Sequence, residues 1–341
     1  ATSSSQPSPF PTSAPNANEE IVVTRETLEA SIADKNWKLR KASYDLLRQI
    51  IREQITAGSQ PGNIDSDSSI MPGLSQAILS VVYDSNASAL DSGLQLALDY
   101  SENCSQATDS EHAGKIATCL LKGNGLSSSR PSTVKYSSAV LLKLMEVGSE
   151  GASSVHEVIC VLLEKGLTSR KPKIVIASSS IICDATLDFG AINLPLASIR
   201  SSMPKLISHS NVKAREMGMK IVAEICNAFG SKAPLQELLD SMKKAQQSQL
   251  DKILSSLEGP SPPRVGLRSS QGEEQGDAME VLEAQAKALE AERFANRSAV
   301  NIFVELAKTN YTERLKLPKW SEKVGALDTL LECGGEKPFK L

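Results

Sequence analysis

The stretch DKNWKLRKASYDLL, residues 34–47, sets the reading of the whole chain. It lies inside the longer run LEASIADKNWKLRKASYDLLRQIIREQI, whose apolar residues recur at three- and four-residue spacing. That period belongs to a helix with one buried face. Trp37 is one of only two tryptophans in the chain, and it falls at the first turn of this helix. Lys38, Arg40 and Lys41 follow at once. A tryptophan placed among cations at a helix start is either a cap over the first helix pair or an exposed contact residue.

Outward from this stretch the helical pattern runs from Ile21 to about Leu257, without alternating strands. The helices come in pairs, and the turn inside each pair serves as a landmark. NWKLR centres on Trp37, DSNA covers 84–87, SRPST surrounds Arg130, KPKIV covers 171–175, and SNVKAR covers 210–215. Successive landmarks are separated by roughly 40–47 residues, the period of HEAT or armadillo helix pairs. A sixth pair is expected from PLQELLDSMKKA, 234–245, and QSQLDKILSSLE, 247–258. No pair buries its apolar face alone, so stacking has to supply the core. The fold class is therefore all-α, an α-solenoid of about six HEAT-like helix pairs.

Four segments follow from composition. Residues 1–20 are rich in Ser, Pro and Ala and are expected to be disordered. Residues 21–258 hold the helix pairs. Residues 259–298 read as a linker that begins with Pro and Gly and carries the Ala/Glu-rich stretch AMEVLEAQAKALEAERFANR, expected as an exposed helix. An apolar pattern returns in 299–341. There Trp320 is followed by Lys323, Asp328 and Leu330, at the offsets by which Arg40, Asp45 and Leu47 follow Trp37. The chain is starting the same module again.

Several function classes are disfavoured. A net charge of −3 lacks the basic surplus of a general nucleic-acid binder. The longest apolar runs are too short and too serine-rich for a membrane span. The six cysteines form no CxxC pair and are expected as buried reduced thiols. The first twenty residues lack the pattern of a secretory signal and an initiator Met, so a cytosolic fragment or processed product is expected. His112, His156 and His209 have no ligand or triad partners at suitable spacing, and no phosphate-cradling glycine loop is present. Neither an enzyme, a metal nor a cofactor is expected.

In a helical solenoid the turns inside successive pairs are expected to align along one edge. Trp37, Lys38 and Arg40 would open that edge, with Asp84, Ser85 and Asn86 following. Arg130 belongs to the third turn, Arg170, Lys171 and Lys173 to the fourth, and Lys213 and Arg215 to the fifth. Trp and Arg are the residue types most enriched in interface hot spots. Cations give steering and a salt-dependent on-rate. The edge therefore suits an acidic protein partner. Either Ser85 or Asn86 also suits the cap of the following helix.

These segments resemble the TOG domains of microtubule polymerases. NWKLRKASYDLL resembles the first-repeat signature, DSNASALDSGLQLAL the second turn and its helix, KPKIVIASSSIICDATLDFG the fourth, and SNVKAREMGMKIVAEI the fifth. The order resembles the amino-terminal domain of an array, with a second domain beginning at about residue 301. In the third turn Thr133 is followed by Val134, and Lys135 comes one place later than the family pattern has it. The resemblance implies a flat paddle of six HEAT repeats that binds the αβ-tubulin heterodimer. It also implies promotion of microtubule plus-end growth, in the cytoplasm, at the spindle and at the microtubule-organising centre. By position, Trp37 would anchor on β-tubulin with Lys38 and Arg40 beside it. Asp84, Ser85 and Asn86 would form the second contact, and Arg130, Lys171, Lys173, Lys213 and Arg215 the later basic ones. Trp320 and Lys323 would be the counterparts in the second module. No nucleic acid, membrane or small-molecule substrate is implied. The alternative is a HEAT-repeat adaptor for another protein partner; a spacer that binds nothing is a third reading.

Overall fold

The computed structural model describes residues 23–148, 152–257, 259–260, 262–268, 309, 311–316 and 323–324. Most of the expected linker, the expected disordered start and most of the expected second module, Trp320 included, lie outside these residues. The chain divides into two compact units between Val161 and Leu162.

The first unit contains a 3-10 turn, Arg25–Thr27, then α1, Leu28–Ser31, and α2, Trp37–Thr56. Next come α3, Ser66–Ser69, α4, Leu74–Val81, and α5, Ala87–Asn103. Then α6, Ser110–Lys122, precedes α7, Pro131–Glu146, and α8, Ser153–Val161. In the second unit a π-helical turn, Leu162–Gly166, leads to α9, Pro172–Phe189. After it come α10, Leu196–Ile207, α11, Val212–Ala228, α12, Gln236–Ser241, and α13, Lys244–Ser255. A short helix, α14, covers Tyr311–Lys316. Among the described residues there is no β-strand, only an isolated bridge between Ile64 and Cys104. The expected all-α fold of six HEAT-like pairs is what the chain adopts. The longest step between landmark turns, the first, is taken up by the divided helix α3–α4 and the loop through Pro61 and Gly62. In the sixth pair the break falls earlier than expected, at Met242, whose extended backbone ends α12.

Within each unit the second helix of one pair lies against the second helix of the next. In the first unit α2 runs along α5, and α5 along α7. Leu47, Ile50 and Ile51 of α2, Leu94 and Leu96 of α5, and Val140, Leu141 and Leu144 of α7 are buried. In the second unit α9 and α13 flank α11, with Ile181, Ile182 and Phe189 of α9 and Ile221, Val222 and Ile225 of α11 buried. Each such side chain contributes about 2 kcal/mol of burial free energy. After α13 the chain returns to its own unit. The N–H groups of Arg264, Val265 and Gly266 donate to the carbonyls of Leu187 and Asp188, and Leu267 is buried.

Cys104, Cys183 and Cys226 are buried in these packed layers. Burial pushes the Cys104 thiol up to about 12 and those of Cys183 and Cys226 to about 11. They are protonated, unreactive core residues. His112 is also spoken for: its Nε2 lies 3.1 Å from the Tyr100 hydroxyl, and burial lowers its pKa.

Helix α5 approaches α4 so closely at Gly93 that no side chain fits. A Cβ there would lie 2.8 Å from Val81 Cγ1 and 2.9 Å from the Val81 carbonyl oxygen. Alanine would gain about 1 kcal/mol of helix propensity. The obstruction is partly backbone, however, so the clash outweighs that gain. Gly93→Ala is expected to lower stability by about 1–2 kcal/mol net, read from urea unfolding; a more stable variant would show that α4 yields freely.

Candidate tubulin-facing turns

The turns that open α2, α5, α7, α9 and α11 share one construction. Their N-cap residues are Asn36, Asn86, Arg130, Lys171 and Asn211, all with extended backbone. In each, the side chain two residues earlier accepts a hydrogen bond from the N-cap N–H. The acceptors are Asp34 Oδ1 at 2.7 Å, Asp84 Oδ1 at 2.8 Å, Ser128 Oγ at 3.1 Å, Ser169 Oγ at 3.2 Å and His209 Nδ1 at 3.0 Å. Short polar side chains bonding two residues onward make such turns self-supporting. Asn36, Asn86 and Asn211 also accept from N–H groups of the first helical turn. The third and fourth turns have no side-chain cap and place Pro131 and Pro172 at the first helical position. There the missing N–H costs nothing and φ is already set.

This common frame gives each expected residue a position. Trp37 and Val212 occupy the first helical position of their turns and are 36% and 54% exposed. Lys38, Lys173 and Lys213 all occupy the second helical position and are exposed. Ser85, Arg130, Arg170 and Lys171 are exposed as well. Arg40 and Arg215 occupy equivalent positions four residues past their N-caps, and one Nη of each folds back on its own turn. Arg40 Nη1 donates to the carbonyls of Asp34 and Lys35 at 2.7 and 3.1 Å. Arg215 Nη1 donates to those of His209 and Ser210 at 2.7 and 2.9 Å.

In the first unit the turns are tied to one another. Asp84, only 9% exposed, receives Arg40 Nε at 2.6 Å and Nη2 at 2.7 Å, together with the Tyr44 hydroxyl at 2.9 Å. With the Asn86 N–H, its carboxylate is fully engaged inside the chain. Burial works to raise its pKa, but the hydrogen bonds from Arg40, Asn86 and Tyr44 hold it below the usual carboxylate value. Burial and the adjacent Asp84 charge raise the Tyr44 pKa. One repeat on, Asp91 of α5 takes the Thr133 hydroxyl and pairs with Arg130 Nη2 at 3.2 Å. These contacts set the first three turns side by side.

In the second unit the balance differs. Among the described residues no carboxylate lies within ion-pair distance of Arg170, Lys171, Lys173, Lys213 or Arg215. Nor does any of these five helices carry an acidic residue in its first turn. Elsewhere α1, α3, α6 and α12 each do, while α4, α8, α10 and α13 do not. A helix N-terminus favours anions, and a cation there costs about 0.3–1 kcal/mol. Lys38, Lys173 and Lys213 therefore sit where local stability disfavours them.

Three features of the turns escape the sequence reading. Tyr83, 48% exposed, stands beside Asp84, but it ends the apolar run AILSVVY and reads as core. Tyr44 and Asp91 read as ordinary helix residues because their partners are distant in sequence. Lys323 is half-buried, in a short described segment that gives it no neighbours to interpret. Among the described residues no cluster of His, Cys, Asp or Glu is arranged to hold a metal ion, and no helix is long and apolar enough to cross a membrane.

Comparison with known proteins follows the same lines. Protein MOR1 of Oryza sativa subsp. japonica is 24% identical over 320 residues, covering 89% of this chain. Protein mini spindles of Drosophila melanogaster is 24% identical over 323 residues, covering 92%. The chain spans only 15% of the length of either relative. Among solved structures, a microtubule polymerase with a TOG domain array, described for tubulin recruitment and assembly, has a TM-score of 0.58 at 21% identity. It covers 89% of this chain and 59% of its own. The third TOG domain of Drosophila melanogaster Mini spindles has a TM-score of 0.56 at 18% identity, covering 72% of this chain and all of its own. The profile of the XMAP215/Dis1/CLASP TOG domain matches residues 23–254, and the chain belongs to that family.

Proposed function

We propose that the chain binds the αβ-tubulin heterodimer through the turns that open α2, α5, α7, α9 and α11. It would do so as one member of a TOG array that promotes microtubule plus-end growth and regulates microtubule dynamics. The observation that carries this is the set of lysines at the second helical position, with no acid in the first turn of any of the five helices. Cations kept where they cost stability are accounted for by an acidic partner. An incoming carboxylate would meet the lysine and the positive end of the helix dipole together. Family membership supplies the partner's identity, and the proposed place of work is the cytoplasm, on microtubules, the spindle and the organising centre. A HEAT adaptor for another protein would also use exposed cations, but it has no use for the same position in three separate turns. The reading is of a binding module, not an enzyme.

Roles divide accordingly. Trp37, Lys38, Ser85, Arg130, Arg170, Lys171, Lys173, Lys213 and Arg215 would touch tubulin, and Tyr83 joins them. Asp84 and Asn86 would position their turn, and Arg40 would do so while flanking Trp37. We also propose that residues 23–254 form the binding module and that 299–341 begin a second one, with Trp320 as the counterpart of Trp37.

Three measurements test this. On gel filtration the chain should co-elute with unpolymerised tubulin, and Trp37→Glu should weaken that complex by about 2 kcal/mol without lowering the melting temperature. An intact complex would remove Trp37 from the site. Changing Lys38, Lys173 and Lys213 together to Gln should slow association and flatten its salt dependence. The same change should leave the fold as stable or up to about 1 kcal/mol more stable per site; a loss of stability would give the lysines a structural role. Asp84→Asn should cost about 3 kcal/mol of stability, because it leaves Arg40 unpaired. The pH dependence has a definite sign. A carboxyl with a lowered native pKa adds stability above its unfolded value, near 4. That stability is lost as pH falls through the native value. The wild-type chain should therefore lose more stability between pH 6 and pH 3 than Asp84→Asn does; equal losses would remove the linkage.

A further inference from the structure

Arg40 and Arg215 occupy the same place in the first and fifth turns, and each uses one Nη to clasp two carbonyls of its own turn. Their free edges differ. The Nε–Nη2 edge of Arg40 holds Asp84, which stands two residues before the N-cap of the next landmark turn. In the sixth turn the N-cap is Lys243, and the residue two places before it is Ser241. The position that supplies a carboxylate to Arg40 carries only a hydroxyl in the sixth turn. That hydroxyl is turned away, donating to the Leu238 carbonyl at 2.6 Å. The Lys243 N–H is satisfied from within by Gln246 Oε1 at 2.9 Å.

What stands in place of the carboxylate is a cleft. It has a volume of about 430 Å³ and is lined by Ile207, Ser208, Arg215, Ser241, Lys243 and Gln246 among others. Among the described residues no acidic one lines it. Its other polar groups are already committed: Ser208 Oγ donates to the Pro204 carbonyl and Gln246 Nε2 to the Ile207 carbonyl. Among the described residues the Arg215 Nε and Nη2 and the Lys243 ammonium have no acid partner. A guanidinium edge of this kind is shaped for two parallel bonds to a carboxylate. Arg215 and Lys243 both line this cleft, and a single carboxylate seated in it would pair with both.

We infer that this cleft is a seat for one carboxylate side chain of the protein partner, held by the free edge of Arg215 and by Lys243. The inference rests on the tubulin reading and deepens it. The sixth turn thereby joins the contact surface, and the partner completes from outside the ion pair that the chain builds for itself between Arg40 and Asp84.

The test uses the full 341-residue chain and purified tubulin, with affinity read by titration and folding by thermal melting. Ser241→Asp should fill the seat from within, as Asp84 does beside Arg40. The melting temperature should rise and tubulin affinity should fall about fivefold or more. Lys243→Glu should weaken tubulin binding by a similar factor. Lys244→Glu, an exposed neighbour that does not line the cleft, should stay within about twofold. If Ser241→Asp and Lys243→Glu bind like wild type while Trp37→Glu does not, the seat is overturned and the tubulin reading stands. If Lys244→Glu is as damaging as Lys243→Glu, general charge accounts for the effect and the seat is overturned. If Trp37→Glu also binds like wild type, both readings fall.

Discussion

The carboxylate of Asp84 is the constraint on which the geometry of the first unit depends. One buried anion accepts from the Arg40 guanidinium, the Tyr44 hydroxyl and the Asn86 N–H. Burying it without those donors would cost several kcal/mol. With them it fixes the start of α5 against the start of α2 and turns Arg40 inward. Trp37 is then left outside by default, since the side of α2 that faces α5 is filled by Tyr44 and Leu47. Asp91 repeats the device between α5 and α7 through Thr133 and Arg130.

The two units thus treat their turn arginines in opposite ways. In the first, the turn arginines are neutralised by acids of the same chain, and the larger side chains left exposed are Lys38 and two aromatics, Trp37 and Tyr83. In the second, among the described residues, the turn cations have no acid partner in the chain. A contact made by buried aromatics is governed by desolvation and is slow to break. A contact made by unpaired cations acts at a distance, over about a Debye length. The same family of turns therefore presents two kinds of surface.

Much of this is legible in the residues themselves, because it depends on local chemistry. Helical periodicity places the pairs. Pro131 and Pro172, like the asparagines 36, 86 and 211, mark helix starts by effects that act within a turn. The direction of a side chain is another matter. Asp84 lies in an exposed-looking DSNA motif, and only the packing of α2 on α5 turns it inward, toward partners 40 and 44 residues away. Arg40 beside Trp37 reads as a free cation for the same reason. Tyr83 and Lys243 are inconspicuous in opposite ways: one ends an apolar run and looks buried, the other begins an ordinary polar helix. A comparison of position across repeats, not of residue type, brings Lys243 into view.

The hydrogen bond from each N-cap N–H to the side chain two residues earlier has a further consequence. Every landmark turn has already given up its backbone freedom when the chain folds. Ordering a residue's backbone costs about 1–2 kcal/mol. A partner that met loose loops would have to supply that free energy for several residues at each turn. Here it is met by folding, so what remains to be ordered on contact is mainly the rotamers of long side chains such as Lys38, Lys173 and Lys213. The turns are thereby built as preformed mounts for the lysines they carry.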